Sequence, residues 1–117
     1  MSDIRATTIS ALNGTDPITL TKQSAAKCWV NFNGIGIAIR DSVNTSSMVD
    51  VSVGHQQINF SNAMENTTYA IQSHDWGYGG GWSDTMTTSS YRTKRRHENN
   101  SYLDVEVIWG LIHGDLA

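Results

Sequence analysis

Residues 75–83, Asp-Trp-Gly-Tyr-Gly-Gly-Gly-Trp-Ser, carry the clearest recognition chemistry in the sequence. Trp76, Tyr78 and Trp82 are amphipathic rings of the kind that stack on sugars or anchor protein interfaces. The glycines between them allow the backbone to follow a tight path. The loop is therefore the strongest candidate for a recognition site, and binding of a surface glycan is one of its two interpretations. The alternative is that the rings pack on the body of the domain or across a subunit contact.

Residues 92–97, Arg-Thr-Lys-Arg-Arg-His, form a second cluster with binding chemistry. Such a run suits phosphate or an acidic protein surface, but the chain carries a formal net charge of −3, which argues against nucleic acid. On a strand the side chains alternate, so one row of three cations forms and Arg95 points the other way. We expect this row to pair with Asp104 and Glu106 on the next strand. Docking onto an acidic partner is the alternative.

Residue pairs that support catalysis in other proteins occur here only in fragments. His74-Asp75 and His113-x-Asp115 each bring a histidine near a carboxylate, but no serine in a glycine elbow accompanies them. Cys28 lies in an alternating run, where a thiol packs as a small apolar group. The four histidines show no zinc spacing, and no Asp-rich calcium loop is present. We therefore expect no enzyme activity, no metal and no cofactor.

The composition predicts one all-β domain. Only 16% of the 117 residues are charged, while Ser, Thr, Asn and Gly are frequent, which suits short strands and turns better than long helices. A chain of this length supports one modest core. A single cysteine cannot form a disulfide within the chain, and no apolar run approaches the ~20 residues of a membrane span. We expect synthesis in the cytosol and no membrane insertion.

The chain divides into an arm and a sandwich. Residues 1–25 are polar and nearly aperiodic, which predicts an extended N-terminal arm. In residues 26–117, runs with period 2 recur at intervals of about ten residues, separated by turn signals. We expect these residues to form a small antiparallel β-sandwich, similar to a jelly roll, that stands out from the arm as a knob.

Residues 26–47 predict a β-hairpin. Two runs of alternating apolar residues flank Asn33-Gly34, with Cys28, Val30 and Phe32 before it and Ile35, Ile37 and Ile39 after it. Asn-Gly between such runs indicates a two-residue type I′ turn, in which Gly34 has a positive φ.

Residues 103–111 form the longest alternating run. Its expected inward row is Leu103, Val105, Val107, Trp109 and Leu111. The other side carries Tyr102, Ile108 and Ile112 among acidic residues. Apolar surface on both sides of a strand marks a contact with another subunit, so these three residues are expected at the interface of a homotrimer. The alternative is that the arm or a loop of the same chain covers them.

Residues 27–47 resemble a module that recurs in bacteriophage virion proteins, at the C-terminal end of tail fibres and in related surface knobs. The pattern here is Trp-Val-Asn-Phe-Asn-Gly-x-Gly from Trp29, followed by Ile-Arg-Asp-Ser-x-Asn-x-Ser-Ser from Ile39. A looser likeness continues through residues 57–60 and 62–69. Knobs of the resembled family are three-fold assemblies, so the resemblance also implies a trimer, and an ion on its axis is a subsidiary hypothesis.

The resemblance implies a structural protein on the virion surface, made in the host cytoplasm. A capsid decoration or cement protein would lay its arm on the major capsid protein, with Ile4, Ile9 and Leu12 as anchors, and project the sandwich outward. A tail-fibre or tail-tip knob would instead bind tail proteins and read a host surface glycan. The short arm, with no shaft before the sandwich, favours decoration. A host-derived lectin-like module is a third hypothesis, favoured only by the aromatic loop.

Overall fold

The computed structural model describes residues 25–77, 81–97 and 99–117. In these residues the chain forms β1 Cys28–Asn33, β2 Ala38–Val43, β3 Thr45–Ser52, β4 His55–Phe60, β5 Ala70–Asp75, β6 Trp82–Met86, β7 Ser90–Lys94 and β8 Ile108–His113. The described part contains no helix. Apart from Ala25, the predicted arm lies outside the described residues, and so do its anchors Ile4, Ile9 and Leu12.

The strands make two four-stranded sheets that enclose one core. The front sheet has the order β2-β1-β8-β5 and the back sheet the order β3-β4-β7-β6. Paired strands run antiparallel in both sheets. The all-β sandwich predicted from composition and alternation is therefore confirmed.

The core lies between the sheets and follows from the period-2 pattern of the central strands. The front sheet contributes Cys28, Val30, Phe32, Ile108 and Ile112, and the back sheet contributes Ile58, Phe60 and Tyr91. Burying a Val, Ile or Phe side chain of this kind stabilises the fold by about 1.5–3 kcal/mol. The thiol of Cys28 is enclosed here, and burial raises its pKa, so it packs as the sequence predicted.

The chain passes from the front sheet to the back sheet at Asn44, between β2 and β3. Asn44 has a φ of 57°, a left-handed conformation that Asn adopts more readily than most residues. Its side-chain amide donates to Asn62 O at 3.1 Å, and its Oδ1 accepts from Asn62 N at 2.7 Å. One side chain thereby ties the corner to the segment that follows β4.

The predicted hairpin is present, but the predicted type I′ turn is wrong. β1 and β2 pair with Asn33 opposite Ala38, so four residues close the loop instead of two. Gly34 does not have a positive φ, and the left-handed residue is Ile37, with a φ of 48°. Hydrogen bonds within the loop stabilise it: Asn33 Oδ1 accepts from the backbone N–H groups of Ile35 and Gly36, at 2.9 Å each.

Gly34 is required by close packing against the segment before β8. Its N–H donates to Val105 O at 2.8 Å, and a Cβ at this position would lie 2.8 Å from Val105 O and 2.9 Å from Ile108 Cδ1. We expect Gly34→Val to lower the free energy of unfolding by about 1–3 kcal/mol, the usual effect of overpacking. Urea denaturation measures this change.

Gly36→Ala is the matched control for that variant. A Cβ on Gly36 would meet only the side chain of Asn33, at 3.1 Å, so we expect a loss below about 1 kcal/mol. If the Gly34→Val protein unfolds at the same urea concentration as the parent, the close approach of the two segments does not exist in solution.

The strand predicted over residues 103–111 is shorter than expected, and the residues of β8 that face the core are those expected on its other side. Only Ile108–His113 forms β8, in which Ile108, Gly110 and Ile112 are buried. Trp109 and Leu111 lie on the outer face of the front sheet, so Trp109 is not the core residue that was expected. The register explains the difference: Phe32 is inward and pairs with Ile108, which fixes Ile108 inward as well.

Two of the three predicted interface residues are excluded from an interface by burial. Ile108 and Ile112 are 0% exposed within the single chain, whereas Tyr102 is at the surface. The apolar outer surface lies elsewhere, in a row of Val43, Trp29 and Leu111 that crosses β2, β1 and β8. Val105 and Ile108 are both buried, so the inward-facing row changes from odd-numbered to even-numbered residues near residue 107. This change explains why apolar residues occur on both sides of the C-terminal run.

Candidate functional site

Strand β7 and the two residues after it divide the basic run into two rows, as alternation predicts. Arg95 is buried and faces the core, whereas Arg92, Lys94 and Arg96 lie on the outer face of the back sheet. The inward and outward cations have different partners, so they contribute differently to the site.

The predicted pairing of the outward row with Asp104 and Glu106 is wrong. Asp104 Oδ1 accepts from Gly54 N at 2.7 Å and from Gln56 Nε2 at 3.1 Å. Glu106 lies 3.8 Å from Arg40. Residues 103–107 are irregular, so these acids have no cross-strand register with β7.

Arg95 is a fully buried cation in a polar network between the sheets. Its Nε lies 3.2 Å from Asp75 Oδ2, with both side chains 1% exposed. Its Nη1 donates to Thr93 Oγ1 at 2.7 Å, and its Nη2 donates to Ser73 Oγ at 2.6 Å. Burial lowers the pKa of Arg95, and the charge of Asp75 opposes that change. The network compensates a charge that would otherwise be costly to bury.

This buried pair closes the base of the aromatic loop predicted as the recognition site. Asp75 is the last residue of β5 and Gly81 directly precedes β6, so these two residues mark the two ends of the loop. A Cβ on Gly81 would overlap the Arg95 guanidinium, which shows that only glycine leaves room for that side chain. Arg95 therefore lies against one end of the loop and forms an ion pair with the other.

The three predicted loop aromatics have different surroundings. Trp76 is 72% exposed and borders a shallow groove of about 200 Å³ that is also lined by Ile35 and residues 103–107. Tyr78 lies outside the described residues. Trp82 begins β6 and pairs with Lys94 on the back sheet. Glycan binding by this trio stays a prediction.

The outward cations have separate partners. Arg92 Nε donates to Gln57 Oε1 at 3.0 Å. Lys94 Nζ forms an ion pair with Asp84 Oδ2 at 2.6 Å. Partial burial raises the pKa of Asp84, but the hydrogen bond and charge of Lys94 outweigh it, and the net shift is downward. Of these three cations, Arg96 alone contacts aromatic rings of the described residues.

Arg96 joins Trp82 and Tyr102 into one exposed cluster, which we call the aromatic–arginine cluster. The guanidinium carbon lies 5.4 Å from the Trp82 ring centroid and 4.7 Å from that of Tyr102, both within cation–π range. Arg96 Nη2 donates to Tyr102 Oη at 2.8 Å, and Nη1 donates to Asn100 Oδ1 at 3.3 Å. The cation is therefore held in a defined orientation at the surface.

Local backbone geometry brings Tyr102 to Arg96. The two residues form an isolated antiparallel bridge, and His97 N donates to Ser101 O at 2.8 Å inside it. Asn100 takes the left-handed conformation in this turn, with a φ of 70°. The His55 ring also meets the Tyr102 ring edge-on, with centroids 4.3 Å apart. The strand-based prediction missed this grouping, and the turn residues after His97 were its only signal in the sequence.

The structure separates the side chains of the first predicted histidine–carboxylate pair, His74-Asp75. The Asp75 side chain is turned inward to Arg95, while His74 lies on the outer face of the front sheet and stacks near Trp109, with centroids 5.3 Å apart. Within the described ranges, no three His, Cys, Asp or Glu side chains come together as they would around a metal ion. The same ranges contain no helix long and apolar enough to cross a bilayer.

Comparison of the chain with protein-family models, curated proteins and solved structures finds no match.

Proposed function

We propose that the chain is a non-enzymatic structural protein of a bacteriophage virion. In this proposal it is a homotrimeric capsid decoration knob that is anchored to the major capsid protein by its N-terminal arm. The proposal comes from the resemblance of residues 27–47 to phage knob modules. It is supported by the use that the fold makes of those residues.

Three polar residues of the resembled pattern, Asn33, Arg40 and Asn44, are engaged in building the sandwich. Asn33 caps the β1–β2 loop, and Asn44 ties the β2–β3 corner to Asn62. Arg40 Nη1 donates to Phe32 O at 3.0 Å and to Glu106 O at 2.7 Å. A shared pattern whose side chains bond the backbone of their own fold suits a shared structural module, and this observation carries the proposal.

The trimer is expected to use the outer face of the front sheet, where Val43, Trp29 and Leu111 adjoin. A row of apolar side chains on an outer face suits contact with another subunit. Mass measurement of the purified chain at micromolar concentration should give three copies. Leu111→Lys should give a monomer with an unchanged fold, and Gln72→Lys, on the adjacent strand of the same face, should stay trimeric. A monomeric parent protein would contradict the trimer.

Deleting residues 1–16 tests the decoration mechanism. The strands and the buried core of the described residues lie between Cys28 and His113, so the melting temperature should not change. Binding to capsids that lack decoration should be lost, because the arm supplies association and not folding. Sedimentation of the protein with purified capsids measures this binding.

A matched set of outcomes separates decoration from attachment to a tail. Equal capsid binding with and without the arm would contradict the decoration mechanism. A tail-fibre or tail-tip knob would be favoured by a different result. In that case neither the full chain nor the shortened chain binds capsids, and the deletion abolishes only adsorption to cells. The copy number in purified virions adds an independent measure, since decoration requires many more chains than a tail tip.

The receptor-binding knob is a second candidate function, favoured by one observation. The two tryptophans on either side of the same loop are exposed, Trp76 at 72% and Trp82 at 42%. Exposed aromatic rings suit recognition of sugars. In that case Trp76→Ala should reduce adsorption to host cells and leave particle assembly unchanged. Unchanged adsorption would contradict a receptor role for Trp76.

A further inference from the structure

The aromatic–arginine cluster combines two features that a ligand can use. Trp82 is 42% exposed and Tyr102 is 36% exposed, so each ring presents apolar surface to solvent. The guanidinium of Arg96 between them in the cluster is also exposed. Ring surface contacts the C–H groups of a pyranose, and a guanidinium binds an oxyanion.

Among the described residues, part of the donor set of the Arg96 guanidinium has no acceptor. Arginine has five N–H groups, and those of Arg96 donate to Tyr102 Oη and Asn100 Oδ1. The remaining N–H groups have no acceptor in the described part of the chain, and no described carboxylate lies within 4.0 Å of this side chain. Because the rings and two hydrogen bonds already fix the cation, little conformational entropy remains to be lost when an anion binds.

The neighbouring charges limit what kind of anion fits. Lys94 is paired with Asp84 at 2.6 Å, Arg92 is bonded to Gln57, and the chain carries a net charge of −3. A polyanion such as nucleic acid needs a broad positive surface, which this face does not provide. One oriented guanidinium beside two rings suits a single acidic group on a sugar.

We infer that the aromatic–arginine cluster is a binding site for an acidic saccharide. The sugar's carboxylate or phosphate accepts from the N–H groups of Arg96 that donate to neither Tyr102 nor Asn100, and its ring lies against the exposed parts of Trp82 and Tyr102. The ring of His55 packs edge-on against Tyr102 and helps to hold it in place. The site deepens the receptor-knob candidate, but binding by the isolated protein does not depend on the chain's place in a virion.

Titration of the full chain with methyl α-D-galacturonide, which carries one carboxylate, tests the site, with the Trp82 indole and Arg96 Nε resonances as NMR readouts. Binding should shift both signals. The methyl ester of the same saccharide, which lacks the charge, should bind at least about tenfold more weakly, because the charge-assisted hydrogen bonds are lost. Inorganic phosphate should compete poorly, since it offers no sugar ring.

Arg96→Gln should weaken binding of methyl α-D-galacturonide by about tenfold or more, and Arg96→Lys should not restore it, because an ammonium lacks the planar fork. Arg92→Gln is the matched control: it removes a cation from the same face, two strand positions before Lys94, and should leave the affinity unchanged. Circular dichroism and the melting temperature of each variant confirm that the fold is retained.

Several results would overturn the assignment. These are equal binding of the methyl ester, equal losses for Arg96→Gln and Arg92→Gln, and competition by phosphate as strong as that of the saccharide. Binding of a short oligo-dT alone, with steep salt dependence, would assign the face to single-stranded nucleic acid instead. Capsid binding by the Arg96→Gln protein separates the two proposals, because decoration predicts that it stays at the parent level whatever the saccharide result.

Discussion

Asp75→Asn should lower the free energy of unfolding by about 3–5 kcal/mol, the usual result of removing one partner from a buried ion pair. The substitution keeps the side-chain shape but leaves the Arg95 cation fully buried without its counter-charge. That loss is a large part of the ~5–15 kcal/mol by which a domain of this kind is stable. Urea denaturation followed by tryptophan fluorescence measures it.

Asp84→Asn is the matched control, because its partner Lys94 is the neighbour of Arg95 on the same segment. The Lys94–Asp84 contact is shorter, 2.6 Å against 3.2 Å, but its side chains are 22% and 27% exposed. Solvent can replace the lost partner there, so we expect a loss below about 1 kcal/mol. The comparison tests whether burial or distance decides the contribution of an ion pair.

A double variant sharpens the test. Arg95→Met in the Asp75→Asn background removes the cation that has lost its counter-charge. The further loss in free energy of unfolding should therefore be much smaller than that caused by Asp75→Asn alone, and the effects of the two changes should not be additive. Equal stability of the Asp75→Asn and Asp84→Asn proteins would show that Arg95 regains water when its partner is removed, and that the pair does not hold the loop base.

Ile108→Asp should prevent folding, whereas Val107→Asp should leave a folded protein. Ile108 is 0% exposed in β8 and pairs with Phe32, and an unpaired buried carboxylate costs several kcal/mol. Val107 precedes the strand, is half-buried and lines the groove beside Trp76, so an acid there reaches water and should cost only about 1 kcal/mol.

Soluble yield and the far-ultraviolet circular dichroism spectrum distinguish the two neighbours. The opposite result, a folded Ile108→Asp and an unfolded Val107→Asp, would restore the faces expected from the sequence. Similar behaviour of both variants would mean that Ile108 and Val107 do not differ in burial as described.

The fold class was predictable because it depends on a pattern within short segments. Cys28, Val30 and Phe32 alternate, and so do Gln56, Ile58 and Phe60, and each set faces the core. The face of the last strand was not predictable from its own residues, because both rows are apolar there. The pairing of Ile108 with Phe32 decides it, and such pairing is a property of the whole sheet.

The candidate site was predicted only in its parts. Trp82 was recognised as a surface aromatic and Arg96 as an outward cation, both from local sequence. Their grouping with Tyr102 depends on the turn that follows His97, in which Asn100 is left-handed. The packing of Arg95 against Gly81 could not be predicted from the sequence either, because a basic run does not indicate which of its cations has a partner inside the core.

The order of strands in the front sheet also constrains how the chain reaches this structure. β1 lies beside β8, at the opposite end of the described sequence, and β5 is joined to the same sheet only through β8. During synthesis, therefore, the front sheet cannot close until residues 108–113 have left the ribosome. Sandwiches dominated by such distant pairings fold in about milliseconds to seconds, and until then the edge of β1 that pairs with β8 leaves its backbone N–H and C=O groups open to other nascent chains.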